Sequence, residues 1–365
     1  MEIRQNFVYK LSKFSMKKLN TLITVAALLW AGTAQRNWAA EAQNAFNEGV
    51  KYHRAGKLKE AISAYDRAIK ADPKASEAYL GRGVAYAKLG QAERAVKDYD
   101  EAIRLNPNLV DAYYKRGDAH NESKQYQLAI KDYDEALRRD PKLTEVYQNR
   151  GLAYYYSGQY ANAIKSFDEA LRQNPKLTTA VFSRANTYFT QKQYERAIKD
   201  YDEVIKQTPK SAKAYYQRGE AHIALGELEK AIQDFDQAQK LDPHDPEIYS
   251  SRGVAERRLG KNDLAVKDYT ESIRLNSKNA EVYSNRANAY SLLGKYDEAL
   301  KDYDQAIKLD PKNARIYANR GVISLRQGKT EDAEKDFKKA VELDPSLKQK
   351  IEPLMGEQKP QPAKR

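Results

Sequence analysis

Small and aromatic residues recur along this chain three and four positions apart, in blocks separated by short polar breaks. Between Val110 and Leu143, Ala112, Tyr113, Gly117 and His120 fall on one face of a first predicted helix. Tyr126, Ala129, Ile130, Tyr133, Ala136 and Leu137 fall on one face of a second. Lys124 and Gln125 break the pattern between them, where most other blocks place a glycine such as Gly56, Gly90 or Gly158. Glycine suits that break because it takes the left-handed backbone of a helix end at little cost. The second helix is predicted to stop before Pro141, whose ring cannot continue it. The unit is a helix, a tight turn and a second helix.

This unit is written nine times. Ala61, Ala95, Ala129, Ala163, Ala197, Ala231, Ala265, Ala299 and Ala333 follow one another at intervals of 34 residues. Four residues after each stands an aromatic, from Tyr65 and Tyr99 through Phe167 and Phe235 to Phe337. Seven copies carry a glycine earlier in the unit, among them Gly49, Gly117 and Gly321, and two carry Ala185 or Ala287. Eight close on proline, and the seventh substitutes Ser277. Small residues let two helices approach closely while the ring fills the space opposite. One pair cannot bury its apolar faces alone, so the copies must stack as a solenoid.

In these columns the chain resembles the tetratricopeptide repeat family, whose 34-residue pattern of aromatic, Gly or Ala, Ala and Pro it meets. The resemblance covers 306 of 365 residues. It implies an all-α fold, a right-handed superhelical solenoid of nine units: 42–75, 76–109, 110–143, 144–177, 178–211, 212–245, 246–279, 280–313 and 314–347. The first and ninth units depart from the pattern at Ala45 and Glu334, and read as caps. The remaining parts are expected to be a leader over 1–34, a short linker over 35–41, and a capping segment with a disordered basic tail over 348–365.

The leader has the parts of a signal peptide. Lys17 and Lys18 precede an apolar run from Leu19 to Trp30, and small residues follow, with cleavage expected after Ala34. Met16 is a plausible true start. The expected location is therefore the bacterial envelope, periplasmic or secreted, or membrane-anchored if the segment stays uncleaved. The apolar run is shorter than the roughly 20 residues that span a bilayer comfortably.

Charge changes the picture less than its total suggests. Of the net +12, the leader holds +4 and the last 18 residues +3, leaving about +5 for the repeats. That is weak for a phosphate binder, so nucleic acid is not an expected partner. Within the second helices, Asp100 and Arg104, Asp134 and Arg138, Asp168 and Arg172, Asp202 and Lys206, and Asp304 and Lys308 are expected to pair four residues apart. A second ladder, Arg82, Arg116, Arg150, Arg184, Arg218, Arg252, Arg286 and Arg320, is expected to meet Asp98, Asp132, Asp200, Asp234, Asp268, Asp302 and Asp336 as structural pairing.

Catalytic chemistry has no foothold in the sequence. With no cysteine, disulfides and thiolate zinc sites are excluded. The four histidines form no local metal motif, and His120 and His222 stand where other units place Tyr86 or Tyr154, as core rings. No phosphate loop, nucleophile elbow or dinucleotide fingerprint occurs. The expectation is a non-enzyme without metal or cofactor.

The resemblance implies that the first helices line a concave groove for a peptide segment or partner helix, through the second, fifth, ninth and twelfth positions of each unit. There the middle units are richest in aromatics expected to be exposed among polar groups: Tyr114, Tyr155, Phe182, Phe189 and Tyr216 beside Asp118, Asn186 and Glu220. Aromatic anchors in a polar surround are what protein-binding hot spots use. No unit has Lys at the fifth position, so the family's clamp for chain-terminal carboxylates is not expected. The expected function is a protein-interaction scaffold; the alternative is a chaperone-like holder of unfolded clients. The seventh unit's polar string Glu256-Arg257-Arg258 reads either as a softer joint or as a local basic site.

Overall fold

The computed structural model describes residue 24 and residues 38–356, so the rest of the expected leader and the tail after residue 356 lie outside the described residues. Every regular element among them is helical. None of these helices is long and apolar enough to cross a membrane.

The chain divides into two compact units. The first runs to Pro175 and holds α1 (residues 38–54), α2 (Leu58–Ala71), α3 (Ser76–Lys88), α4 (Ala92–Leu105), α5 (Val110–Glu122), α6 (Tyr126–Arg139), α7 (Thr144–Tyr156) and α8 (Tyr160–Gln173). Helix α1 is already formed at residue 38, so the linker expected over 35–41 ends earlier than its composition suggested. Its buried Ala42 and Ala45 continue the helical spacing upstream, which is why no break falls at residue 41.

The second unit holds α9 (Thr178–Thr190), α10 (Tyr194–Gln207), α11 (Ala212–Leu225), α12 (Leu228–Leu241), α13 (Pro246–Arg258), α14 (Asn262–Leu275), α15 (Ala280–Leu292), α16 (Tyr296–Leu309), α17 (Ala314–Arg326) and α18 (Thr330–Leu343). A 3-10 turn, Pro345–Leu347, leads into α19 (Lys348–Gly356). Helix α19 caps the stack by burying Ile351 against the cluster around Phe337 and Ala340. Glu334, on the outer side of α18, is exposed, as a cap requires.

Within each unit one packing scheme repeats. Each first helix packs on its own second helix and on the second helix of the preceding repeat, and it also touches the next first helix, as α5 touches α7 and α13 touches α15. The core of each repeat is the invariant alanine with its aromatic ring: Tyr133 and Phe235 are fully buried. Gly117 shows why the eighth position stays small, because a Cβ there would come within 2.8 Å of the Tyr133 ring. The helix-to-helix turn needs a left-handed residue, which glycine supplies in seven repeats and Lys124 and Lys192 supply in two, each at φ 59°.

The charge ladder couples successive repeats. Arg116 clasps Asp132 of its own repeat through Nε and Nη2, at 2.9 and 2.6 Å, and reaches Asp100 of the preceding repeat through Nη1 at 2.6 Å. Arg82, Arg218, Arg252 and Arg320 do the same. In the fourth repeat Ser166 replaces the clasped acid, and Arg150 keeps only Asp134 as an ionic partner. Arg286 clasps Asp302 and finds Thr270 where others find an aspartate.

This overturns the expected pairing four residues apart. Asp100, Asp134, Asp202 and Asp304 go to the next repeat's arginine, while Arg104, Arg138 and Arg172 turn to Glu101, Glu135 and Glu169 three residues before them. The aspartates point at a neighbouring helix that sequence spacing along one helix cannot reveal. The histidine positions also carry polar ties: His222 is buried with Nδ1 2.6 Å from Glu227, and His120 Nδ1 lies 2.7 Å from Gln125.

Candidate functional site

The first helices form the closely spaced layer of each unit, which makes their outward side chains the inner face. Three of the sequence-derived site residues lie in the first unit and five in the second. All eight are half-buried, so the five aromatics expected to be exposed are not. For Tyr114, Phe182 and Tyr216 their own repeat's core ring is the reason, since each of these fifth-position aromatics leans on it; Tyr155 and Phe189, at the twelfth position, pack on other tyrosines.

In the first unit, Tyr114 on α5 tilts against Tyr133 with ring centroids 6.2 Å apart, and Lys115 Nζ sits 4.1 Å from the Tyr114 ring centre. Asp118, one turn on, accepts hydrogen bonds from Tyr133 Oη at 2.9 Å, Asn149 Nδ2 at 3.0 Å and Lys115 Nζ at 3.2 Å. Burial, with Asp118 and Glu145 nearby, raises the pKa of the Tyr114 hydroxyl. Tyr155 belongs to a different group. It meets Tyr156 edge-on at 5.3 Å and Tyr160 at 5.7 Å, and Tyr156 also stacks on Tyr126 at 5.8 Å.

In the second unit, Phe182 on α9 tilts against Tyr201 at 5.8 Å, with Lys213 Nζ 5.3 Å from its ring centre. Asn186 accepts the Tyr201 hydroxyl at 2.7 Å. Phe189 pairs edge-on with Tyr194 at 5.4 Å, a local contact at the end of the helix. On α11, Tyr216 tilts against Phe235 at 5.9 Å and its hydroxyl lies 3.4 Å from Ser251 Oγ. Burial pushes the Tyr216 hydroxyl up to about 12 and raises the Glu220 carboxyl above its ordinary value. Glu220 Oε1 is sealed from water and has no hydrogen-bond partner.

Tyr114, Asp118, Glu145 and Asn149 thus recur at the same offsets as Tyr216, Glu220, Glu247 and Ser251, 102 residues later. Asn149 and Ser251 stand at the sixth position, outside the four groove columns, while Glu145 and Glu247 stand in the second column, where no aromatic drew attention to them. The difference between the sets lies in the core, where Tyr133 gives way to Phe235.

The seventh repeat departs further. Glu256 replaces the ring that Tyr86, Tyr154 or His222 supplies elsewhere, and it is buried with Oε2 unpartnered. Beside it opens a cleft of about 790 Å³ bordered by Tyr249, Arg252, Glu256, Lys261 and Asp268. Burial, with Asp268 beside it, pushes Glu256 up to about 7. Among the described residues no cluster of three or more His, Asp or Glu side chains could hold a metal ion.

Comparison with known proteins agrees with the repeat architecture. The family described as tetratricopeptide repeat matches residues 46–109 and 85–143, and the family described as the C-terminal domain of cilia and flagella-associated protein 70, a tetratricopeptide region, matches residues 143–352. No curated protein matches the chain. A tetratricopeptide repeat protein from Parabacteroides merdae superposes with a TM-score of 0.54 at 24% identity, covering 67% of this chain and 97% of that one. The Cut9-Hcn1 hetero-tetramer of APC/C gives 0.50 at 16% identity over 83% and 73%. YrrB, described as having an unusual peptide-binding site, gives 0.46 at 23% identity over 50% and 94%.

Proposed function

Because the chain belongs to the tetratricopeptide repeat family, we propose that it is a non-catalytic scaffold that holds a peptide segment or partner helix against the first helices, and that it works outside the cytoplasm. The observation that carries this reading is the row of half-buried aromatics on adjacent first helices of the second unit. Phe182 and Tyr216 each rest one face on a core ring and keep the rest of their surface at the inner layer, next to Asn186 and Glu220. Rings held in this way lose little freedom when a partner covers them, which favours their use as anchors.

The test is selection of displayed peptides on the full chain, with each enriched peptide then titrated against a Phe182→Ala, Tyr216→Ala variant whose fold is checked by circular dichroism. Two truncated anchors are expected to weaken binding by roughly a hundredfold, since single hot-spot truncations cost about 1–2 kcal/mol or more. Peptides that bind the variant as tightly as the parent would place the partner elsewhere.

A further inference from the structure

At the far end of the second unit, α13, α15 and α17 enclose a second hollow of about 320 Å³, to which Arg257, Asn288, Ser291, Tyr303, Asn319 and Arg326 contribute. No carboxylate borders it. Many arginines of the repeats are held by acids: the ladder members hold aspartates, and Arg104, Arg138, Arg172 and Arg274 hold glutamates, while Arg94, Arg196 and Arg258 have neutral acceptors. Arg257 and Arg326 join no ion pair among the described residues.

Arg257 Nε and the Tyr269 hydroxyl are both sealed from water without a well-formed hydrogen bond, and the Arg257 guanidinium, near that hydroxyl, opposes the rise that burial gives its pKa. Arg257 and the exposed Arg326 both line the hollow, and the charge of each acts on the Tyr303 hydroxyl. That hydroxyl donates to Asn288 Oδ1 at 2.7 Å. A sealed donor without an acceptor is costly, and Arg257 bears that cost, while Arg326 adds a second unpaired positive charge in reach of solvent. An anion entering the hollow gives Arg257 an acceptor and both guanidiniums a counter-charge, and planar guanidinium forks match a carboxylate in particular.

Resting on the groove reading above, we propose that this hollow takes the carboxylate of an acidic side chain carried by the bound peptide, held between Arg257 and Arg326. Asn288 and Asn319 flank that position and offer amide donors to the peptide backbone.

The experiment measures fluorescence anisotropy of three labelled Gly-Ser dodecapeptides with central Leu-Glu-Leu, Leu-Gln-Leu or Leu-phosphoserine-Leu, titrated with the full chain. The glutamate peptide is expected to bind about tenfold more tightly than the glutamine peptide, as one charge-assisted pair gives. Arg257→Gln, Arg326→Gln abolishes that preference, whereas Lys199→Gln, Lys301→Gln, which removes equal charge from exposed positions on second helices, preserves it. Equal binding of the two peptides, a preference surviving the arginine changes, or one lost with the lysine changes overturns the proposal. Tighter binding of phosphoserine overturns the choice of carboxylate. Equal binding that still falls on Phe182→Ala, Tyr216→Ala sinks the anion site alone and leaves the groove reading standing.

Discussion

The hydroxyl of Tyr133 donates to Asp118 at 2.9 Å, and three repeats later the same two positions hold Phe235 and Glu220, where there is no hydroxyl to give. Phe235→Tyr should supply it. The expected outcome is a gain of about 1 kcal/mol in urea unfolding and a fall in the Glu220 pKa, followed by carboxyl carbon NMR. Tyr133→Phe should cost about 1 kcal/mol, since Asn149 and Lys115 still serve Asp118. No change in either variant would mean the hydroxyl contributes nothing.

The arginine ladder contains its own control. Asp132→Ser recreates in the third repeat what Ser166 does in the fourth, leaving Arg116 with Asp100 alone. A cost of about 1–3 kcal/mol is expected. Arg116→Ala strands Asp132, whose side chain is 5% exposed, and should cost more, about 3–5 kcal/mol. Equal costs would show that the stranded carboxylate is not the dominant penalty.

Lys124 and Lys192 hold a left-handed backbone that every other inter-helix turn gives to glycine. Lys124→Gly and Lys192→Gly should each raise stability by about 1 kcal/mol, and the reverse change Gly158→Lys should lower it similarly. Differential scanning calorimetry reads both directions. A melting temperature that falls in Lys124→Gly would show that the lysine side chain earns its place in some other way.

Glu256 gives the second unit a pH response with a definite sign. Its folded carboxyl is raised from 4.5 to about 7 by burial and by Asp268, against the pull of Arg252. The folded state therefore binds the proton more tightly than the unfolded chain does. The stability tied to that proton is full below about pH 4.5 and is lost as pH rises through 7. Glu256→Gln should melt higher than the parent at pH 8 and match it near pH 4.5. Parallel melting curves for the two proteins across that range would remove Glu256 as the cause. Glu256→Tyr, which returns the ring used by other repeats, should also stabilise at pH 8 by removing the buried carboxylate.

The columns of alanine, glycine, ring and proline were enough to place the helix pairs and their core, because those residues meet one another inside a single repeat. Where a side chain crosses between repeats, spacing along one helix misled. Asp100 stands four residues from Arg104 and yet reaches Arg116, sixteen residues on. Exposure misled for a related reason. Phe182 and Tyr216 occupy groove columns, but their lean onto Tyr201 and Phe235 depends on helix packing angles that no column records. Arg326 was missed because it lies one position past the twelfth, where the end of a first helix turns its side chain toward the hollow beside Arg257.

The ladder also has two unlike ends. The first repeat places Glu48, joined to Arg67, where the others place the clasping arginine, and Ala64 where they place the clasped aspartate. It contributes only Asp66, handed forward to Arg82. The ninth repeat clasps Asp336 and receives Asp304, but presents Lys338 at the position that would be handed to a successor. A copy of this chain set end to end with another would meet Lys338 with Glu48-Arg67, a junction lacking the arginine–aspartate grip. Duplicating a repeat from the interior keeps every grip intact. Inserting a copy of the third repeat beside the original therefore adds one complete grip, whereas joining two whole molecules leaves a junction without one.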